Sequence, residues 1–350
     1  MPPFVTINGR NIGQEYPVYI VAEMSANHGQ NFERAVDILR AAKESGADAI
    51  KLQTFTPDAH TIKSDRDCFR VGGGTLWDGR TLYDLYAEAY MPWDWQTKLQ
   101  SIANEIGLDF FSAAVDVTSI DFLETLNVPV HKITSFELVD LALIKKMAYT
   151  GKPLVISTGM ATLAEIEEAV ITAQVAGAKQ IVLLKCNSSY PAPPVEMNLR
   201  TIPHLSETFG LPVGLSDHTV GIATSVAAVA MGACIIEKHF TISRSLPGPD
   251  SAFSMEPAEF KAMVDAIRIT EKAMGQVTYG LTVSETASRV FRRSLFVTCD
   301  VNEGEIFTKF NVRSIRPGYG LLPRYLEHVL GRRAARNIEK GTAMSWDLIA

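Results

Sequence analysis

Two polar runs close consecutive apolar segments of the chain, Gly214-Leu215-Ser216-Asp217-His218 and Glu237-Lys238-His239-Phe240. Residues 211–215 read as a short buried strand, 222–232 as an alanine-rich helix and 234–237 as a second buried strand, which makes one βαβ unit with parallel strands. His218 and His239 then fall at the carboxyl ends of adjacent strands. A spacing of two puts Ser216 with His218, and Glu237 with His239, on one face of each strand. One histidine at a strand end is usually a hydrogen-bonded core residue, but two at equivalent ends of neighbouring strands can share a metal ion. Lys51 and Lys132 pose a second question, because both lie inside apolar runs, where an unpaired charge is costly. Either each has a carboxylate partner, with Glu23, Glu137, Asp217 and Glu237 available, or the two lysines hold an anionic substrate. Ser157-Thr158-Gly159 favours the anion, since it offers further hydroxyl and backbone donors.

These residues need a scaffold that gathers strand ends. Apolar runs recur at residues 18–22, 49–52, 108–111, 128–133, 154–156, 181–184, 211–215 and 234–236, each followed by a segment long enough for a helix. Apolar residues at three-and-four spacing mark helices over 32–45, 93–106, 163–176 and 257–274. Eight such units over about 260 residues fit a closed (β/α)8 TIM barrel covered by helices. An open doubly wound sheet is the alternative, but no G-x-G-x-x-G follows the first run. In a barrel the active site lies at the carboxyl ends of the strands, and here those ends are polar throughout: Glu23 to His28, Lys51 with Gln53, Ser112, Lys132 to Glu137, Ser157 to Gly159, Asn187 to Tyr190, and the two histidines. The long insertion at 54–92, with a Gly72-Gly73-Gly74 run, Trp77, Tyr83, Tyr86 and Tyr90, reads as a lid over that site or as an oligomer surface. The pattern predicts a catalytic barrel over 1–276, a polar linker at 277–290 and a small strand-rich domain over 291–350.

Composition narrows the partners. With 350 residues, 47% of them apolar, the chain can bury one large core and a small second one. Cys68, Cys186, Cys234 and Cys299 form no C-x-x-C pair and read as inert buried thiols in a reducing cytoplasm. No basic-then-apolar leader opens the sequence, and the longest apolar stretch, 226–236, is short of the ~18 residues of a membrane span. Neither export nor membrane insertion is expected. The net charge of −6 is uneven: residues 289–350 hold eleven Lys and Arg against six Asp and Glu, so +5 there and −11 before. Those basic residues are scattered among apolar ones, which argues for a folded domain making its own arginine contacts and against nucleic-acid binding.

The sequence resembles the sialic acid (nonulosonic acid) synthase family over essentially its whole length. The matching motifs are Glu23 with Ser25-Ala26-Asn27-His28, Lys51-Leu52-Gln53-Thr54, Lys132-Ile133 with Ser135 and Glu137, Ser157-Thr158-Gly159-Met160, Tyr190-Pro191, Gly214 to His218, Glu237 to Phe240, Pro247-Gly248-Pro249-Asp250 and Arg316-Pro317-Gly318. Within the family, residues 73–95 are most similar to pseudaminic acid synthases, while Thr134, Phe136, Ala113-Ala114 and Asn187 depart from residues common in other branches. The resemblance implies a (β/α)8 barrel followed by a small antifreeze-like (SAF) domain, in a domain-swapped homodimer where that domain caps the partner's barrel. It implies condensation of phosphoenolpyruvate with an open-chain N-acetylated amino sugar, assisted by a divalent ion, Mn²⁺ first and Co²⁺ or Mg²⁺ next. The implied roles are His218 and His239 on the metal; Lys51, Lys132, Ser135, Ser157, Ser216 and either Asn187 or Ser188 on phosphoenolpyruvate; Glu137 on the attacking water; Glu23, Gln53 and Asp250 on the sugar; Ser112 and Tyr190 among the substrate-binding residues; and Arg316 reaching the sugar in the other subunit. Two other classes are to be weighed, a metal-dependent aldolase using pyruvate, which needs no phosphate grip, and a binding protein, which leaves the polar strand ends unexplained.

Overall fold

The computed structural model describes residues 2–350, which divide into two compact units, one ending at Gly275 and one running from Gln276 to Ala350. The first opens with a hairpin of β1 (Phe4–Ile7) and β2 (Arg10–Gly13), turned by Asn8 and Gly9 at φ 49° and 77°. Left-handed conformation at both positions is the type I′ turn that Asn-Gly adopts with little strain. There follow β3 (Tyr19–Glu23), α1 (Phe32–Glu44), β4 (Ala49–Thr54), α2 (Pro57–His60), α3 (Leu82–Ala89), α4 (Trp93–Glu105), β5 (Asp109–Ala114), α5 (Val117–Thr125), β6 (His131–Ile133) and α6 (Leu141–Ala148). The unit is completed by β7 (Leu154–Ser157), α7 (Leu163–Val175), β8 (Ile181–Cys186), α8 (Thr201–Phe209), β9 (Val213–Asp217), α9 (Ala223–Ala230), β10 (Ile235–His239) and α10 (Pro257–Met274).

Strands β3 to β10 pair in sequence order, all parallel, and β10 pairs back onto β3, so the sheet closes into the (β/α)8 barrel. Its strands are buried on both faces, which is why they read as continuous apolar runs. The helices are fixed by local signals: Thr162 and Glu165 form a capping box on α7, and Pro257 opens α10 where its missing N–H is no loss. Most strands extend one to three residues beyond the apolar runs, because Gln53, Ser157, Cys186, Ser216 and His239 still belong to the ladder. They also start later than the runs do where proline intervenes. Pro129 and Pro212 have no N–H to donate, and the paired strands begin after them, at His131 and Val213.

Register then decides which polar groups meet. Lys51 lies opposite Glu23, Ser216 opposite Glu237, Cys186 opposite Ser216, and His239 opposite Glu23. The alternate residues point outward. Asp217 takes Lys238 at 2.9 Å and Ser225 of α9 at 2.6 Å, so it serves as a strut between barrel and helix, and Lys51 and Lys132 are left to other carboxylates.

The second unit is small. β11 (Ser294–Val297) and β12 (Val312–Ile315) are antiparallel, α11 (Leu326–Val329) is one turn, and Leu295, Val297, Phe307, Val312, Val329 and Ile338 are among its buried core. Among the described residues no helix is long and apolar enough to cross a membrane.

Candidate active site

A cavity of about 920 Å³ opens at the carboxyl ends of the barrel strands. Its floor is charged. Lys51 Nζ lies 3.2 Å from Glu23 Oε2 and 3.1 Å from Glu237 Oε1; the same Glu237 oxygen accepts from Ser216 Oγ at 3.0 Å and stands 4.0 Å from Lys132 Nζ. Lys132 donates to Ser157 Oγ at 2.7 Å and to the Ile133 carbonyl at 3.0 Å. Burial is the largest influence on Glu23 and raises it to about 7, against the pull of Lys51 and with the push of Glu237. Burial also presses Glu237 upward, but Lys132 and Lys51 outweigh it and hold that carboxylate low. Lys51, disfavoured by burial, is kept cationic by Glu23 and Glu237, whereas Lys132 is drawn down to about 8 by burial that Glu237 only partly offsets. One firmly ionised carboxylate thus serves two ammonium groups, and the surplus positive charge suits an anion. Gly159 shapes the same place: its N–H donates to Ser135 Oγ at 3.0 Å, and any side chain there would strike the Ser135 and Ser188 hydroxyls.

Beside the lysines runs a neutral chain of donors. Gln53 Nε2 donates to Glu23 Oε1 and Ser25 Oγ, both at 2.9 Å, and the Ser25 hydroxyl donates to Asp250. Ser25 sits at φ 46°, a left-handed position that these two partners hold. Burial raises Asp250 despite the Ser25 hydroxyl and the Ala26 amide. Glu137 is also raised by burial and accepts from the Thr134 hydroxyl.

The two histidine rings are 5.3 Å apart. His218 Nδ1 donates to the Asn187 carbonyl at 2.7 Å, which fixes its tautomer and aims the other ring nitrogen elsewhere. His239 Nδ1 is buried with no hydrogen-bond partner, and its pKa falls well below the usual value through burial and the charges of His218, Lys51 and Lys238. A neutral imidazole with an orphaned nitrogen beside an oriented one fits a pair of metal ligands. Among the described residues no group of three or more His, Cys, Asp and Glu side chains could hold an ion, so two imidazoles would leave the remaining positions to water or substrate.

Aromatic side chains wall the cavity in two groups. Trp77 donates from Nε1 to the Pro249 carbonyl at 2.9 Å and packs 5.8 Å from Tyr190, which lies 4.3 Å from His218, while Phe253 lies 4.9 Å from His239. In the second group Phe55, His60 and Tyr86 pack on one another at 4.4–6.0 Å.

Of the residues marked out by sequence, Lys51, Gln53, Lys132, Ser135, Glu137, Ser157, Ser188, Tyr190, Ser216, His218, His239 and Asp250 line this cavity, with Glu23 directly beneath. Others do not. Ser112 is fully buried and bonded to Thr54 Oγ1 at 2.6 Å, so its hydroxyl serves the barrel wall. The Asn187 side chain turns out to Glu196 at 3.4 Å, and only its carbonyl serves the site, through His218. Tyr83 points toward Asp58 outside the cavity, which Tyr86 lines in its place. Arg316 is exposed on the second unit. The thiols are not uniformly inert and buried. Cys68 and Cys299 are exposed, and burial pushes Cys234 up to about 12. Cys186 lines the cavity, 3.9 Å from His218 Nδ1; burial presses its thiol upward, but His218, Ser135 and Lys132 together lower it to about 7. Its place at a strand end, two residues before Ser188, is the signal that would have found it.

A closed barrel carrying paired lysines, paired histidines and a carboxylate at its strand ends defines a synthase-like site for an anionic substrate. Residues 38–279 match the NeuB family and residues 292–350 match the SAF domain, and the chain belongs to the NeuB family. A pseudaminic acid synthase of Campylobacter jejuni is 42% identical, with 95% of this chain and 97% of that protein aligned. An N,N'-diacetyllegionaminic acid synthase of Legionella pneumophila is 36% identical over 98% of each. A crystal structure of N-acetylneuraminic acid (sialic acid) synthetase from Leptospira borgpetersenii in complex with citrate superposes with a TM-score of 0.74 at 29% identity, covering 82% of this chain and 95% of that one.

Proposed function

We propose that this chain condenses phosphoenolpyruvate with 2,4-diacetamido-2,4,6-trideoxy-L-altrose and water to give pseudaminic acid and phosphate. The observation that carries the reading is the 42% identity to a pseudaminic acid synthase over 95% of the chain. The cationic floor supports it. Lys51, Lys132, Ser135, Ser157, Ser188 and Ser216 hold the phosphate and carboxylate of phosphoenolpyruvate and turn its C3 toward the aldehyde carbon. Positioning both reactants makes the C–C bond formation nearly intramolecular, worth several kcal/mol. C3 forms the new bond to the aldehyde carbon as the C2–C3 double bond is spent; the aldehyde π pair moves onto its oxygen, which takes up a proton and becomes a hydroxyl, and C2 is left as an oxocarbenium. Water adds there, Glu137 takes its proton, and the C2–O bond to phosphate breaks to regenerate the carbonyl. Gln53, Asp250 and Tyr190 orient the sugar, and Glu23 acts through Gln53 and Lys51. His218 and His239 would hold a divalent ion, Mn²⁺ in preference to Co²⁺ or Mg²⁺, which when bound polarises the aldehyde as a Lewis acid. In this reading the protein works in the cytoplasm as a homodimer, residues 277–290 are the linker, and Arg316 reaches the acceptor of the other subunit.

The test is phosphate release from phosphoenolpyruvate with three acceptors in parallel. The diacetamido-altrose should exceed N-acetylmannosamine and the legionaminic acid precursor in kcat/KM by roughly one to two orders of magnitude, since a site built for two amides leaves donors unpaired with one. Comparable values for all three, or no phosphate release at all, would overturn the assignment.

A further inference from the structure

The insertion contributes one polar group that the proposed reaction does not use. Helix α3 turns Leu82, Leu85, Tyr86 and Ala89 into the cavity, a stripe at helical spacing, with Thr81 capping its first turn through the Asp84 amide. Gln30 anchors the helix end by donating to the Ala87 carbonyl at 2.7 Å. The Tyr86 ring is held on both sides, stacked on His60 at 4.4 Å and 21° and edge-on to Phe55 at 6.0 Å. Its hydroxyl makes no hydrogen bond among the described residues, although the residue borders the cavity. Burial, helped by the charge of Glu137, raises the phenol, so it stays protonated, and burial keeps His60 neutral at about 4. The wall here is therefore a single uncharged donor set among Phe55, Leu82, Leu85 and Phe136.

Such a surface suits a neutral acceptor that carries a small apolar group. A phosphate or carboxylate would find no cation there, and those lie on the floor with Lys51 and Lys132. A sugar hydroxyl could take the hydrogen bond but would leave the aromatic faces uncovered. An acetamido group satisfies both, with its carbonyl on the phenol and its methyl against the rings. The histidines, where the aldehyde end belongs, pack with the other aromatic group, so this wall meets a substituent further along the sugar.

We propose that Tyr86 is a specificity-determining residue whose hydroxyl donates to the carbonyl of the acetamido group that N-acetylmannosamine lacks. The inference rests on the acceptor named above. Tyr86→Phe keeps the stack and removes the donor. It should lower kcat/KM for the diacetamido-altrose about 10- to 100-fold, and that for N-acetylmannosamine less than about threefold, so that discrimination collapses. KM for phosphoenolpyruvate and the unfolding temperature should stay at wild-type values, and Tyr86→Ala, which also loses the stack, should lose more on the diacetamido sugar. Equal losses on both sugars, or an intact preference in Tyr86→Phe, would overturn the role of Tyr86 while leaving the proposed function standing. A wild-type enzyme with no preference would overturn both.

Discussion

The floor of the cavity and its insertion wall are built on different principles. On the floor most groups stand on a barrel strand, Lys51 on β4, Lys132 on β6, Ser157 on β7, Ser216 on β9, Glu237 and His239 on β10, and His218, Ser135 and Ser188 follow within two residues of a strand end. Hydrogen-bonded ladders fix their separations, so charges can be placed within 3–4 Å of each other and stay there. The wall is borne by a 38-residue excursion between β4 and α4 that carries two short helices, α2 and α3, and its groups are uncharged and aromatic. Its shape can change without disturbing the ladder. In the proposed reaction the chemistry common to every acceptor falls to the strand ends, and the choice of acceptor to the insertion.

Perturbing the floor should therefore damage the reaction with any sugar. The largest effect is expected from the histidines: chelation should abolish turnover, Mn²⁺ should restore it, and His218→Ala or His239→Ala should lose activity and metal affinity together while circular dichroism shows an intact fold. Full activity in either variant would separate the histidines from the chemistry. Next come Lys51→Ala and Lys132→Ala, each removing a charge-assisted hydrogen bond worth about 1.5–3 kcal/mol, or roughly 10- to 150-fold in kcat/KM for phosphoenolpyruvate. Both losses should be the same with every acceptor. If the variants merely unfold and phosphoenolpyruvate gives the wild type no protection against heat, the lysines serve the barrel alone.

A third expectation concerns pH. In the proposed reaction Lys132 grips phosphoenolpyruvate as the ammonium, and its pKa is lowered to about 8, burial being the main cause. Its cationic form is present below that value and is lost as pH rises through it, so kcat/KM for phosphoenolpyruvate should fall above about pH 8. Lys132→Arg, always charged, should remove that limb from whatever activity remains. A profile flat to pH 10 would mean that Lys132 keeps its proton. The smallest effect should come from Trp77 of the insertion. Trp77→Ala deletes one hydrogen bond, to the Pro249 carbonyl, and an edge of the Tyr190 packing, so KM for the acceptor should rise about tenfold with phosphoenolpyruvate kinetics unchanged. A loss shared equally between the two substrates would dissolve the division between floor and wall.

The sequence by itself determined the alternation of strands and helices, because burial on both faces writes a parallel strand as an unbroken apolar run. It also placed most of the polar groups at the carboxyl ends, since a charge inside such a run stands out, and period-two spacing put Ser216 with His218 and Glu237 with His239. Tertiary structure decided the rest. Pairing register, which no single segment encodes, gave Glu237 to Lys51 and Lys132 and sent Asp217 outward to Lys238. It withdrew Ser112 into the wall behind Thr54 and left the Asn187 carbonyl, and not its side chain, facing the site. It chose Tyr86 over Tyr83 because only the winding of α3 fixes which tyrosine faces inward. Cys186 stayed hidden in the sequence because a thiol in an apolar strand looks inert until a histidine from the next strand lies beside it.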